Sequence, residues 1–208
     1  KHFGRKHKLM SVEEFEARCK AVLDFVRNNP RIANLLDGPY FPWVMPQLSG
    51  DIGKLLNDVI VPVLASSYKE DFPSRIFTNY RYNELAGKVT VIDGTRQDIL
   101  VSAMAERSTC GVYFPALQGF GIHADREWIK KVPEPRLILS GMEVPVVVAA
   151  YPNICGRDYH TPGLDMAALQ WQSSYCSLYF YAHDDSAYFI NRDLDILEGC
   201  AGGVSILG

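Results

Sequence analysis

The sequence lacks the features that define several large protein classes. No apolar run reaches the ~18 residues that a membrane-spanning helix requires, and no apolar segment follows the polar, basic start as it would in a signal peptide. No Walker, Rossmann or kinase motif occurs, and the glycines within 199–203 precede no helix that could cradle a phosphate. We therefore expect a cytoplasmic protein with no membrane partner and no nucleotide site.

Cysteine patterns that indicate a metal or disulfide framework are also missing. The chain has five cysteines, an odd number, and no pair is spaced as C-x-x-C: Cys19, Cys110, Cys155, Cys176 and Cys200. This spacing argues against a zinc ribbon or a thioredoxin-like centre, and the composition excludes a small disulfide scaffold. Free, mostly buried thiols in a reducing compartment fit the pattern best.

Basic residues are scarce in the last fifty positions. After Asp158 the only one is Arg192, against six acidic residues. The first ten residues hold four of the basic residues and no acid, so residues 1–10 are predicted to form a basic, flexible arm. Without that arm the net charge falls from -3 to -7. An acidic body repels phosphates, which argues against a nucleic-acid partner.

What remains is an ordinary globular composition, with 48% hydrophobic and 22% charged residues. Helical periodicity occurs early in the chain, and alternating or β-branched segments dominate from residue 88 onward. This order predicts an α+β protein, with N-terminal helices packed on a largely antiparallel β-sheet formed by the C-terminal half. We expect residues 11–208 to form a single domain, helical over 11–87 and β-rich over 88–208.

Several individual elements follow from local patterns. Ser11, followed by Glu14, predicts a capped helix over 12–28. A second apolar stripe predicts a helix over 51–67 that Pro62 kinks or ends. The remaining predictions are a proline-rich loop at 38–50, strands at 88–92, 136–139 and 143–151, a helix at 165–172 capped by Asp165, and a hairpin joining 175–182 to 187–190.

Two aromatic segments give the first functional hypothesis. In the strand at 175–182, Tyr175, Tyr179 and Tyr181 share one face, and residues 39–46 combine prolines with large apolar side chains. Exposed aromatic patches mark interaction sites, so either segment predicts a binding domain that engages a protein partner or a second copy of itself. The alternative is that these side chains simply form a half-buried sheet surface and a packed loop.

A second hypothesis rests on His123-x-Asp125, His183 and Arg192. In an extended segment residues i and i+2 point to the same side, so His123 and Asp125 could bind one ion, and two histidines with a carboxylate suit ferrous iron. This order resembles the iron and 2-oxoglutarate dependent oxygenases. The resemblance implies iron held by His123, Asp125 and His183, and Arg192 binding the distal carboxylate of 2-oxoglutarate.

Each of these residues also has a structural explanation. Asp125 would cap a short helix over 125–131, and His183 would belong to the polar tip of the last predicted hairpin. Arg192 would pair with Asp193 or Asp195.

A third hypothesis is a cysteine hydrolase. Cys110 or Cys155 would supply the thiolate, His160 the base and Asp165 the orienting carboxylate. Against it, Thr95 and Asp98 predict a helix that ends near Cys110, and a thiol is activated at the N-terminus of a helix, not at its end. Sequence alone leaves open whether the protein is an enzyme.

Overall fold

The structure is a computed structural model that describes residues 3–5, 7–158, 160–194 and 200–208. In these residues an eight-stranded sheet runs in the order β1-β4-β10-β6-β8-β9-β2, with β5 pairing to β10 beside β6. Most strand pairs are antiparallel, whereas β10 with β6 and β2 with β9 are parallel. A separate two-stranded sheet joins β3 to β7.

The described strands and helices have the following bounds. The strands are β1 (Phe41–Met45), β2 (Ile76–Asn79), β3 (Val89–Val91), β4 (Thr109–Gln118), β5 (Leu137–Leu139), β6 (Gly163–Asp165), β7 (Leu169–Trp171), β8 (Cys176–His183), β9 (Ser186–Asp193) and β10 (Cys200–Leu207). The helices are α1 (Val12–Arg27), α2 (Ile52–Leu55), α3 (Val61–Asp71), α4 (Gln97–Glu106), α5 (Ile122–Lys131), α6 (Val144–Ala150) and α7 (Pro152–Cys155).

The two faces of the large sheet are covered to different extents. On the first face, α2, α3, α4 and α6 pack against side chains from both ends of the sheet to form the larger core. On the second face, α1 and α5 pack on β4, β5 and β10. This second core includes no side chain of β2, β8 or β9 among the described residues. Those three strands therefore present a face that the helices leave partly open.

The architecture confirms the α+β prediction and several of its elements. Helix α1 begins after Ser11, whose hydroxyl accepts a hydrogen bond from the Glu14 amide at 3.1 Å. The hairpin of β8 and β9 forms with the predicted alternation. Two strands of the sheet, β1 and β2, nevertheless come from the first 87 residues, so the sheet is not built by the C-terminal half alone.

The prediction of a loop at 38–50 is wrong, because residues 41–45 form strand β1. Phe41, Trp43 and Met45 point into the larger core and are nearly fully buried. Pro42 is tolerated because β1 is an edge strand, where a missing N–H breaks no ladder bond. The Tyr151 hydroxyl donates to the Pro42 carbonyl at 2.8 Å on this edge.

Two further element predictions are wrong. The β-branched segment at 143–151 forms helix α6, with Pro145 in its first turn and nearly every side chain buried. A helix that is apolar on all sides cannot be distinguished from a buried strand by periodicity. Residues 165–172 form the end of β6 and strand β7 instead of a helix, and Asp165 is the last residue of β6.

The second predicted helix contains an irregular turn. Between α2 and α3 the chain continues as a π-helical turn at Leu56–Ile60, and Pro62 lies in the first turn of α3. Proline lacks an N–H and crowds the carbonyl four residues before it, so a widened turn at that point accommodates the ring. Pro62 therefore neither ends nor breaks the helical path.

Candidate functional site

The open half of the second sheet face carries a row of four stacked tyrosines, which we call the tyrosine ladder: Tyr80, Tyr188, Tyr181 and Tyr179. The ring centroids of Tyr80 and Tyr188 lie 5.9 Å apart, those of Tyr188 and Tyr181 4.8 Å, and those of Tyr181 and Tyr179 5.2 Å. Interplanar angles of 10–23° show offset stacking at each step. Neighbouring rings of the ladder therefore cover one another on their faces.

Strand register places these side chains on one face. Tyr181 pairs with Tyr188 across β8 and β9, and Tyr188 pairs with Thr78 across β9 and β2. Because side chains alternate along a strand, Tyr179 and Tyr80 lie on the same face as this row. Ile76, 63% exposed, starts the edge strand on that face. The ladder thus begins at the sheet edge and runs toward the covered half.

The inner end of the ladder meets a buried arginine. The Arg192 guanidinium lies 5.3 Å from the ring centroid of Tyr179, a cation–π contact. Its Nη1 lies 3.5 Å from Asp165 Oδ1, and both side chains are almost fully buried. The alternative pairing with Asp193 is not formed, since Asp193 accepts a hydrogen bond from the Cys176 thiol at 3.1 Å. Asp195 lies outside the described residues.

A second carboxyl group, Asp125 on α5, completes the buried charged cluster of Asp125, Asp165 and Arg192. Asp125 is 1% exposed, and both its oxygens lack a hydrogen-bond partner in the described residues. Burial, with repulsion from Asp165 as the lesser cause, raises the pKa of Asp125 to about 8. Burial also raises the pKa of Asp165 to about 6, while Arg192 opposes that rise. At neutral pH one proton therefore resides mainly on Asp125, and Asp165 is the partner of Arg192.

Glycines of β10 make room for this cluster. A side chain at Gly202 would collide with Asp125 Oδ2, and one at Gly203 would collide with the hydroxyl of the buried Tyr113. The Tyr113 hydroxyl has no hydrogen-bond partner among the described residues, and burial raises its pKa well above the ordinary value. Gly202 and Gly203 thus let β10 pass between two sets of buried polar groups.

Glu143 occupies the other side of β10 and is hydrogen bonded. Its carboxylate accepts from Gln97 at 2.7 Å, from the Gly141 amide at 3.1 Å and from the Ser205 hydroxyl at 3.0 Å. Burial raises the pKa of Glu143 to about 7, and these hydrogen bonds limit the rise. The arrangement orders the chain around β5 and β10, a structural role.

The proposed iron ligands are placed differently from the prediction. Residues 123–125 are helical, so positions i and i+2 point about 200° apart: His123 is exposed and Asp125 is buried. His183 ends β8, exposed, with its Nδ1 3.0 Å from the Asp184 carboxylate. No three histidine, cysteine, aspartate or glutamate side chains in the described ranges lie where they could hold one metal ion.

The resemblance to oxygenases therefore finds no support in this geometry. Asp125 is also not the cap of α5, because the helix begins at Ile122 and Asp125 lies inside its first turn. The polar-tip explanation of His183 agrees with its position at the end of the β8–β9 hairpin.

The cysteine candidates are not brought together with His160. Cys110 lies on β4 and is fully buried, and its thiol interacts with that of Cys19, which lowers the Cys110 pKa. His160 is exposed, and its amide donates to Asp158 at 3.0 Å. Cys155 is buried, which raises its pKa to about 12 and keeps it a thiol. A nucleophile–base pair of the kind that the hydrolase hypothesis requires is not observed among these residues.

Sequence reasoning missed half of the ladder and the pairing of Asp165 with Arg192. Tyr80 was not predicted because β2 lies in a segment without clear alternation and pairs with β9, which is about one hundred residues away in the chain. Tyr188 lies in the predicted strand at 187–190 but was not singled out as a candidate. Asp165 was predicted to be a helix cap or the orienting carboxylate of a hydrolase, not the partner of Arg192. The recurrence of Ile122, Arg126 and Ile129 at helical spacing was the signal that could have placed Asp125 on a helix.

Comparisons with known proteins do not identify a family for this chain. Scans of the chain against protein-family models, curated proteins and solved structures each found no match. No helix in the described ranges is long and apolar enough to cross a membrane.

Proposed function

We propose that this chain is a protein-binding domain, and that the tyrosine ladder with its neighbouring edge strand β2 is the binding surface. The observation that carries the proposal is the position of the ladder on the sheet half that α1 and α5 do not cover. Tyrosine is enriched at protein interfaces because it provides apolar area and a hydrogen-bonding hydroxyl with few rotatable bonds.

Ring orientation favours a protein over a flat planar ligand. Sugars and nucleobases bind aromatic side chains through exposed ring faces, whereas stacking between neighbours covers the inner faces of this ladder. Tyr80 ends the row at the sheet edge and is 50% exposed. Its position suits a partner side chain stacked on the outermost ring, as Arg192 stacks on Tyr179 at the inner end.

The charge of the surface around the ladder favours a basic partner. The exposed acids at the ends of the β8–β9 hairpin are Asp184, Asp185 and Asp193. A partner segment that carries arginine beside apolar side chains would place cations near these acids and apolar groups on Ile76. Two copies of this chain would bring like charges together, so the proposal commits to a different protein rather than self-association.

The test uses a short fluorescent peptide in which arginine alternates with valine, and a twin in which glutamate replaces arginine. Fluorescence anisotropy should show binding of the arginine peptide only, weakening as salt is added. Tyr80→Ser should weaken binding by about three- to tenfold, because an exposed cation–π contact and its apolar area are lost. The control is Tyr175→Ser, since Tyr175 is 78% exposed but outside the ladder.

Equal binding of both peptides, or unchanged binding by Tyr80→Ser combined with Tyr188→Thr, would refute the proposal. Threonine, like tyrosine, has a high strand propensity, so Tyr188→Thr should retain β9.

A further inference from the structure

The edge strand β2 has main-chain groups that point away from the sheet. In the sheet that the described residues form, β2 is the last strand, and only its inner side is paired, with β9. On that side the Ile76 and Tyr80 amides donate to carbonyls in and just before β9, at 3.0 and 2.9 Å. Because the hydrogen-bonding groups of successive residues alternate in direction along a strand, Phe77 and Asn79 direct their N–H and C=O groups outward.

The side chains of β2 differ between the two faces of the sheet. Ile76 and Tyr80 lie on the face of the tyrosine ladder, and the exposed Asp185 lies beside the start of the strand, where its carbonyl accepts from the Ile76 amide. Phe77 lies on the opposite face, at the border of the larger core, with its ring centroid 6.1 Å from that of the buried Tyr68. A strand added at this edge would alternate in the same way, with cationic side chains on the ladder face and apolar ones beside Phe77.

Two arginines flank β2, and each has an acid near it. Arg81 pairs with Glu84 at 2.7 Å. Arg75 lies over the Phe72 ring, 4.3 Å from its centroid, at the end of β2 that Asp185 borders. A cationic segment therefore meets no excess of positive charge at either end of this edge. The strand is only four residues long, which limits indiscriminate pairing and makes the ladder contacts necessary for binding.

We propose that the partner binds by strand addition: an extended segment of another protein pairs with the outer edge of β2 through main-chain hydrogen bonds and places its arginines on the tyrosine ladder. This inference rests on the proposed function and adds that the bound segment is an extended strand with free backbone amides. Phe77 and Asn79 supply two donors and two acceptors, and the ladder supplies the side-chain contacts that select the segment. A partner that presented only a surface of side chains would leave these main-chain groups unused.

The test uses the fluorescent arginine–valine peptide and two N-methylated versions of it, one methylated at the arginines and one at the valines. In a paired strand the amides of alternate residues point toward the neighbour, so only one of these two sets can bond to β2. Fluorescence anisotropy should show binding weakened about tenfold or more for one methylated peptide and nearly unchanged for the other. With the arginines on the ladder face, loss at the valines indicates antiparallel pairing and loss at the arginines parallel pairing.

Asn79→Pro removes one outward amide of β2, and Asn79→Ala is its matched control. Both substitutions remove the side-chain oxygen that accepts from the Arg81 amide at 2.8 Å, but only proline also removes the N–H of residue 79. An edge strand tolerates proline where the missing N–H would face outward, so both variants should have the same urea midpoint. Asn79→Pro should bind the peptide about three- to tenfold more weakly than Asn79→Ala, the value of one hydrogen bond.

Amide hydrogen exchange of the unsubstituted protein gives an independent measurement. Peptide binding should slow exchange of the Phe77 and Asn79 amides several-fold, whereas the Ile76 and Tyr80 amides are already bonded in the free protein and should change little. If the two methylated peptides bind equally well and the outward amides keep their exchange rates, strand addition is refuted while binding at the ladder stands. If the unmodified peptide does not bind, the proposed function and this inference are both wrong.

Discussion

Replacing Asp125 with asparagine should make the protein more stable at neutral pH and less sensitive to pH. The buried charged cluster leaves Asp125 without a hydrogen-bond partner among the described residues and beside a second carboxyl group. The folded protein therefore binds a proton at Asp125 that the unfolded chain releases, and this difference costs stability as the pH rises.

The magnitude follows from the pKa. Burial moves the Asp125 pKa from 3.8 to about 8, so its contribution to stability is complete below the lower value and is lost as the pH rises to the higher one. Within that window the loss is about 1.4 kcal/mol per pH unit, or about 3 kcal/mol between pH 5 and pH 7. Asparagine has no such proton to bind, but its amide must be buried at a cost of about 1–3 kcal/mol.

We therefore expect Asp125→Asn to exceed the wild type in unfolding free energy by about 1–3 kcal/mol at pH 7 and to match it near pH 5. Urea unfolding at several pH values, followed by tryptophan fluorescence, measures both curves. Asp165 and Glu143 titrate in both proteins, so the informative quantity is the difference between the curves. Asp98→Asn, at an exposed aspartate, is the control. Parallel curves for Asp125→Asn and wild type would refute the reasoning.

Two further substitutions test the same cluster. Gly202→Ala should lower the unfolding free energy by about 2–4 kcal/mol, because its methyl group collides with Asp125 Oδ2; a urea midpoint equal to that of the wild type would contradict this. Arg192→Met should cost about 3–5 kcal/mol at pH 7 by leaving the buried Asp165 charge unpaired. That cost should shrink as Asp165 becomes protonated at lower pH, and a pH-independent loss would indicate that the pair is not formed.

Sequence patterns predicted the elements whose signals are local. The Ser11 cap and the β8–β9 alternation each lie within about twenty residues, and both were confirmed. The secondary structure was predicted wrongly where it depends on burial. The β-branched segment of α6 is surrounded by core and forms a helix, not a strand. The segment of β1 contains a proline, which only an edge strand tolerates, and forms a strand, not a loop. Strand β10 was missed because Gly202 and Gly203 give no side-chain pattern, although the strand is central to the sheet.

The site was less accessible to sequence reasoning for a similar reason. Asp125, Asp165 and Arg192 are far apart in the chain, and their meeting depends on how α5 packs across the sheet. Tyr179 and Tyr181 were found from alternation, and Tyr188 faces Tyr181 across the predicted hairpin. Tyr80 joins the ladder only through the pairing of β2 with the distant strand β9. The H-x-D pattern predicted that the side chains of His123 and Asp125 point to the same side. That holds for residues i and i+2 of a strand and fails for a helix.

The π-helical turn between α2 and α3 has a consequence for how this chain tolerates length changes. Buried residues follow one another every four positions along this helical path, at Leu56, Ile60, Leu64 and Tyr68. In a regular α-helix a four-residue step drifts by about 40° around the axis, so these side chains would spiral off the core. A widened turn offsets that drift. A π-helical turn holds about one residue more than an α-helical turn, so removing one residue there would leave a regular helix whose downstream apolar side chains still face the core. A deletion elsewhere in the path would rotate everything downstream by about 100°.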